Sequence, residues 1–207
     1  MEAARDTYPV TLQIDYPDRE LDRLTTLFRP IVIIPVAIVL ALISGPSPTT
    51  DSDVSWQVGG VLFAATALMI LFRRKYPRWW YDWNVALTAF GIRVTSYAAL
   101  LRDEYPATDE DQAVHVEIPY PEAATQLNRW LPLFKWFLAI PHYIALAALS
   151  LGAVFAVVFA WFAILFTGRY PRGLFDYVVG VMRWWLRVAS YAFLLTTDRY
   201  PPFRLTY

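Results

Sequence analysis

The sequence predicts a mainly α-helical membrane protein with four transmembrane helices, arranged as two tandem hairpin repeats. Three observations lead to this prediction. Of the 207 residues, 57% are hydrophobic and only 17% are charged, which is too apolar for an ordinary soluble domain. Long apolar runs recur along the chain. In addition, residues 161–203 repeat the pattern of an earlier stretch, residues 68–106.

The two related stretches carry the same landmarks in the same order. In each, an apolar run ends in a turn, a long amphipathic segment follows, and a closing Tyr-Pro comes last. The landmarks are Tyr-Pro-Arg at 76–78 and 170–172, and Arg-Val-x-Ser-Tyr at 93–97 and 187–191. The pattern predicts a first repeat over residues 1–107 and a second repeat over residues 108–207.

Each predicted repeat opens with a short cytoplasmic β-strand that is closed by Tyr-Pro. Apolar and polar side chains alternate over residues 10–15 and again over residues 114–119, which is the period of a half-buried strand. The two strands can pair with each other, but a two-stranded sheet is marginal in water. We therefore expect the pair to lie against the membrane-proximal helices or to extend across an oligomer.

The first predicted hairpin comprises two apolar runs, at about 27–44 and 54–72. Each approaches the roughly 20 residues that a helix needs to cross a bilayer. The loop between them is polar and holds Asp51 and Asp53.

The second hairpin is predicted from length. As a single helix, the apolar stretch 131–167 would be about 55 Å long, far beyond the hydrocarbon thickness. We expect spans at about 131–150 and 152–167, joined by a tight turn near Ser150-Leu151-Gly152.

The distribution of basic residues predicts the orientation. No Lys or Arg lies in the loop of either predicted hairpin, so the positive-inside rule places both termini and the central segment in the cytoplasm. The protein is accordingly expected in the bacterial cytoplasmic (inner) membrane as a multi-pass protein. Arg73, Arg74, Lys75 and Arg78 form a local basic cluster on this side, but the small net excess of positive charge argues against nucleic-acid binding.

A long amphipathic segment follows each hairpin, at about 77–101 and 171–195. In the second copy, a narrow polar stripe that includes Arg183 recurs at helical spacing, so we expect an interfacial helix or one that packs against the bundle. Tryptophans suit the headgroup layer, and both segments carry them. They are Trp79, Trp80 and Trp83 in the first copy, and Trp184 and Trp185 in the second.

Four segments of the second half form a recognisable set. They are Ile-Pro-His-Tyr at 140–143, the stretch 161–177, Arg-Trp-Trp-Leu-Arg-Val-Ala-Ser-Tyr at 183–191 and Thr-Asp-Arg-Tyr-Pro-Pro-Phe at 197–203. They resemble the bacterial, largely actinobacterial, membrane family known as domain of unknown function 4389. The resemblance is close over 114–203 and looser over 10–106, so it implies a tandem copy. It implies a fold and supplies no catalytic residues.

Two pairs of opposite charges correspond across the repeat. Asp82 corresponds to Asp176, and Arg93 corresponds to Arg187. One hypothesis pairs Asp82 with Arg187 and Asp176 with Arg93, because charges that face an apolar bundle need partners. The equally weighted alternative is that each charge reaches water by itself.

Three further polar residues lie near the predicted cytoplasmic ends of the apolar runs. His142 follows Pro141, and a kinked helix with a hydrogen-bonded histidine is favoured there over an ion or headgroup site. Arg29 and Lys135 align with each other, and we expect both to snorkel to water.

The leading functional hypothesis is a non-catalytic accessory or scaffold protein of the bacterial cell envelope. Its expected partners are membrane lipids, anionic ones included, and either further copies of itself or another envelope membrane protein. The chain lacks cysteine and the common catalytic and nucleotide-binding motifs, so no cofactor, metal or catalytic residue is predicted. The alternative is a small oligomeric channel or lipid-handling transporter, and a membrane enzyme acting on lipid headgroups comes third.

Overall fold

The computed structural model describes residues 8–17, 20–44, 58–108 and 112–206, although the side chains of 41–44 and 58–62 are outside this description. The predicted loop with Asp51 and Asp53 therefore lies outside the described residues.

The fold is mainly helical. Its helices are α1 (Arg23–Val32), α2 (Ile34–Ser44), α3 (Val58–Leu68), α4 (Arg78–Ala98), α5 (Pro132–Leu138), α6 (Ile140–Thr167) and α7 (Arg172–Ala192). A π-helical turn, Met69–Arg73, extends α3, and the strands are β1 (Thr11–Ile14) and β2 (Val114–Glu117).

The two strands form where the alternating pattern predicts them, and they pair with each other in antiparallel register. Leu12 lies opposite Val116. Each strand also contacts a long helix: Arg183 of α7 donates from Nε to the Leu12 carbonyl at 2.9 Å, and Tyr81 of α4 donates to the Ile118 carbonyl. Helices α4 and α7 therefore supply the packing that a lone two-stranded sheet lacks.

Helix α7 packs antiparallel along α6. The Tyr177 hydroxyl donates to the Leu149 carbonyl at 2.9 Å, and Trp184, further along α7, donates to His142, near the start of α6. The polar stripe of α7 contacts protein, since Arg183 reaches β1 and Gly180 lies against Leu205 of the C-terminal segment. Of the two predicted environments for this helix, packing against the rest of the protein is the one observed.

The predicted turn near Ser150-Leu151-Gly152 is wrong, because α6 runs without interruption through these residues for 28 residues. Two physical reasons explain the difference. The apolar stretch breaks earlier, at Ala139 before Pro141, so α6 is only about 42 Å long and not 55 Å. In addition, Gly152 stays helical while Tyr177 packs against it, at a place where a Cβ would lie only 2.5 Å from the tyrosine oxygen.

The predicted four spans are not found among the residues that the structure describes. Helix α6 is long and apolar enough to cross a membrane. Helices α1 and α2 are long enough to cross a membrane only if they count as one span, which is bent by 42° at Ile33, between Pro30 and Pro35. The apolar helix at Phe63–Arg73 is too short to span a bilayer by itself.

Candidate functional site

An apolar surface lies along α6. On the side of α6 that faces the protein, four residues are buried: Leu146, Ala156, Ala160 and Ile164. Over the most apolar 18 residues of the helix, however, only 17% of the residues are buried. The exposed side consists of large apolar side chains that recur at helical spacing, and α5 adds two aromatic residues. This apolar face comprises Ile144, Leu151, Val154, Phe155, Phe159, Phe162, Phe166, Trp136 and Phe137. A surface of this size and chemistry is typical of contact with lipid or protein.

Arg29 of α1 forms a buried cation site in the first half. Its side chain is only 2% exposed and forms an ion pair with Asp103. Its Nη1 donates to the Arg102 carbonyl at 2.8 Å, and its guanidinium carbon lies 4.5 Å from the centre of the Tyr97 ring. The carboxylate of Asp103 also accepts from the backbone N–H of Asp22 at 3.1 Å.

Lys135 of α5 forms a second cation site with the same arrangement. Its side chain is fully buried, and Nζ lies 2.7 Å from Asp198 and 2.7 Å from the Thr197 carbonyl. Nζ also lies 5.1 Å from the centre of the Tyr191 ring. The carboxylate of Asp198 accepts from the backbone N–H of Asn128. Each contact corresponds to one in the first cation site.

The expectation that Arg29 and Lys135 snorkel to water is therefore wrong. Snorkelling is unnecessary because each cation has a carboxylate and a carbonyl within reach inside the protein. Sequence reasoning missed the two carboxylates. The signal was present, since Asp103 and Asp198 each stand two positions before the tyrosine of a closing Tyr-Pro.

A groove of about 630 Å³ lies between the π-helical turn, the start of α4 and the segment after β2. We call it the basic groove. Four cations line it, and all four are exposed. Its lining comprises Met69, Arg73, Arg74, Lys75, Tyr76, Pro77, Arg78, Tyr120, Glu122, Ala123 and Ala124. The predicted basic cluster thus surrounds a concave site.

A corresponding groove of about 360 Å³, which we call the paired groove, lies between the segment after β1 and the start of α7. It is lined by Tyr16, Pro17, Glu20, Leu21, Arg169, Tyr170 and Arg172. In both grooves an arginine stacks on a tyrosine, with Arg78 at 4.8 Å from the Tyr120 ring centre and Arg172 at 4.7 Å from that of Tyr16. The paired groove differs in holding Glu20, whose carboxylate lies 3.6 Å from Arg169.

Buried tyrosines form the inner walls of the two grooves. The Tyr120 hydroxyl donates to the Tyr76 carbonyl, and the Tyr16 hydroxyl donates to the Tyr170 carbonyl. Burial raises the pKa of both Tyr76 and Tyr170 above the ordinary range for tyrosine, so these two side chains remain neutral at physiological pH. The charges in the lining of the two grooves are therefore those of the arginine, lysine and glutamate side chains.

The predicted pairs Asp82–Arg187 and Asp176–Arg93 do not form within the described ranges. Both aspartates are exposed, so they obtain hydration from water. The arginines instead donate to backbone carbonyls: Arg93 to Ala107 at 2.7 Å and Arg187 to Thr206 at 3.2 Å.

His142 and the predicted interfacial tryptophans divide between the interior and the surface. His142 is buried, its Nδ1 accepts from Trp184 Nε1 at 3.0 Å, and its ring stacks on Phe203 at 3.9 Å. Trp184 is therefore a core residue, and its predicted place in the headgroup layer is wrong. Trp79 is 69% exposed and Trp185 39%, whereas Trp80 is half-buried and donates to Thr66.

No potential metal site stands out in the part of the chain covered by the structure, where histidine and acidic side chains do not cluster in threes. The candidate features are thus the apolar face, the two cation sites and the basic groove. The apolar face and the cations of the basic groove are exposed, whereas the two cation sites lie inside the protein.

Comparison with known proteins gives one family match. Residues 129–204 match the family described as Domain of unknown function (DUF4389). This segment holds the second cation site and all of α6 and α7. No curated protein and no solved structure matches the chain significantly. Residues 129–204 thus carry the similarity to the DUF4389 family that the sequence motifs predicted.

Proposed function

We propose that this protein is a membrane-bound, non-catalytic accessory protein of the bacterial cell envelope, with α6 lying in the plane of the cytoplasmic leaflet. The observation that carries the proposal is the apolar face of α6, exposed along the whole helix while α7 covers the opposite side. Interfacial helices bury an apolar face at the boundary of headgroups and acyl chains and expose a polar one. Helix α6 is apolar nearly all round, so in this proposal α7 covers the side that would otherwise need to be polar.

The position of the β-sheet, which packs on the far side of α7, favours an in-plane α6 over a spanning α6. Strand β1 packs on α7, and α7 packs along α6, so the sheet lies beside these helices. The sheet exposes Asp15, His115 and Glu117. If α6 stood perpendicular to the membrane, these polar groups would be drawn toward the hydrocarbon core, where they are costly. With α6 in the plane, they face the cytoplasm.

Basic residues at both ends of α6 support the same orientation. Arg129 and Lys135 precede the helix, and Arg169 and Arg172 follow it. A single span would put one of these groups on the outer side, against the positive-inside rule. An in-plane α6 keeps both groups on the cytoplasmic side.

The accessory role and its partners extend the proposal beyond membrane attachment. The protein would hold a partner at the membrane, either further copies of itself or another envelope protein. Native mass spectrometry of the detergent-extracted complex tests this part. A stable homo-oligomer or a co-purifying envelope protein is expected, and a lone monomer at cellular concentrations would contradict it.

A multi-pass arrangement is the second candidate, and hydropathy favours it. Helix α6 reaches a mean hydropathy of 2.5 over 18 residues, which is typical of spanning helices. The first half adds α2 and α3, joined by residues 45–57, a segment without Lys or Arg. In this arrangement α2 and α3 form a hairpin in the membrane, and α6 crosses it as one uninterrupted span.

Single-cysteine labelling distinguishes the two arrangements, and the natural chain has no cysteine to interfere. Trp130→Cys lies just before α5, Leu151→Cys lies in the middle of α6 and Arg169→Cys lies just after its end. In oriented vesicles, an impermeant maleimide should label positions 130 and 169 only from the cytoplasmic side and leave position 151 protected. Labelling of position 151 from outside would support a hairpin, and labelling of 130 and 169 from opposite sides would support a single span. Either result would overturn the in-plane proposal.

A further inference from the structure

We propose that the basic groove binds the phosphate group of an anionic phospholipid headgroup. The inference rests on the proposed membrane attachment and deepens it, because it assigns a ligand class to a defined site. It concerns only the basic groove, since the paired groove has different electrostatics.

The charge balance of the basic groove is the first step. Arg73, Arg74 and Lys75 are exposed around it, and no side chain in the described part of the protein forms an ion pair with them or with Arg78. Glu122 is the one carboxylate that lines the groove. The site thus carries a net positive charge, which favours an anion.

The paired groove provides an internal comparison. Glu20 reaches into it, with one carboxylate oxygen 3.6 Å from Arg169 and the other 3.3 Å from the position that a Cβ on Gly168 would take. A protein carboxylate therefore already occupies the place where an anion would lie. In the basic groove Ala123 and Ala124 lie at this wall. Glu122 also lines the groove but forms no ion pair with the described cations.

The donor set of the basic groove suits phosphate. Arg78 is held over the Tyr120 ring, and the hydroxyl of that tyrosine is fixed on the Tyr76 carbonyl. Arginine recognises phosphate oxygens with paired N–H donors, and lysine adds a mobile point charge. One arginine is therefore pre-positioned, while the exposed cations can close on a ligand.

The surroundings of the groove indicate that the phosphate comes from a lipid. Phe72 is 71% exposed and directly precedes the cations, and Trp79, at 69% exposed, directly follows them. Tryptophan beside basic residues is typical of the headgroup layer, where the acyl chains can follow the apolar side chains. A soluble phosphate compound would make no use of this apolar rim.

Matched double variants of the full-length protein test the proposal. Lys75→Gln with Arg78→Gln removes two charges from the basic groove. The control, Arg169→Gln with Arg172→Gln, removes two charges from the corresponding positions of the paired groove. Binding of phosphatidylglycerol is measured by titration in neutral detergent, with phosphatidylcholine as the uncharged lipid.

The groove variant should bind phosphatidylglycerol roughly tenfold more weakly, since it loses two of the four cations that line the groove. The control variant should change less than about twofold, and binding of phosphatidylcholine should be unaffected. Equal losses in both variants would show diffuse surface charge and overturn the proposal, as would no loss in either.

A second arm separates the lipid from free phosphate. Inorganic phosphate at millimolar concentration should not displace phosphatidylglycerol beyond the effect of sodium chloride at equal ionic strength. Full displacement would assign the site to a soluble phosphate and overturn the lipid assignment. The labelling experiment on α6 fails or succeeds independently, because lipid titration in detergent does not depend on the orientation of that helix.

Discussion

The two cation sites hold different cations, but the groups that contact each cation are of the same three kinds. Arg29 presents a planar group with several donors, whereas Lys135 presents a single compact ammonium. Both nevertheless contact an aspartate, a backbone carbonyl one residue before it and the ring of a tyrosine. The acceptors therefore define the site, and either cation satisfies them.

The acceptors are positioned by an unusual backbone turn that the two halves share. After α4, Leu100 adopts φ +63°, and after α7, Leu195 adopts φ +57°. Non-glycine residues rarely occupy this left-handed region, so the surrounding structure must hold them there. Both leucines are buried, which supplies the packing that holds the turn. The closing segments then carry Asp103 and Asp198 back to the buried cations.

The comparison predicts that loss of a carboxylate has the largest effect on stability. Asp198→Asn leaves Lys135 fully buried without a counterion, which should lower the free energy of unfolding by about 3–5 kcal/mol. Asp103→Asn should be milder, since Arg29 donates to two backbone carbonyls, those of Arg102 and Tyr97, and its guanidinium group spreads the charge. Denaturation in detergent, followed by circular dichroism, measures both.

Removal of the cation together with its counterion provides the control. Lys135→Met with Asp198→Asn eliminates the unpaired buried charge and should recover most of the stability lost in Asp198→Asn alone. If the double variant were as unstable as the single one, the loss would come from the hydrogen bond of Asp198 to the Asn128 N–H and not from the buried charge.

Exchange of the two cations should have an intermediate effect. Lys135→Arg adds bulk at a fully buried position and should lower stability by about 1–3 kcal/mol. Arg29→Lys keeps the charge but loses one donor, for a loss of about 1 kcal/mol. The same unfolding measurement ranks the two. A larger loss in Arg29→Lys than in Asp103→Asn would mean that the cation defines the first site, contrary to the comparison.

Much of the fold could be predicted from local patterns. Alternation predicted the paired strands, and the landmarks around residues 77 and 171 placed the starts of α4 and α7 to within one residue. The uninterrupted α6 could not be predicted, because helix length alone does not reveal whether a break lies at Ala139 or near Gly152. The cation sites also escaped prediction. They depend on a left-handed leucine that brings Asp103 to Arg29 across 74 positions of sequence.

A smaller effect is expected where the C-terminal segment crosses α7. A Cβ on Gly180 would lie 2.9 Å from the Leu205 Cβ and 3.3 Å from its carbonyl oxygen, so Gly180→Ala displaces this segment. The gain in helix propensity, about 1 kcal/mol, offsets part of the strain, which leaves a net loss of about 1 kcal/mol. Gly91→Ala is the control, because nothing lies within 4 Å of its Cβ. It should be neutral or stabilising in the same assay.

The smallest effects test whether the two grooves are equally well built. Tyr16→Phe and Tyr120→Phe each remove one hydroxyl that donates to the carbonyl of a buried tyrosine in the opposite half of the chain. Each should lower the free energy of unfolding by about 1 kcal/mol, and the two losses should be similar because the acceptors, Tyr170 and Tyr76, are buried alike. The same unfolding curves measure them.

A clearly smaller loss for Tyr120→Phe would indicate that the wall of the basic groove is held less rigidly than that of the paired groove. In that case the groove that carries the unpaired cations would owe its shape partly to its ligand, and added phosphatidylglycerol should raise the stability of Tyr120→Phe more than that of Tyr16→Phe.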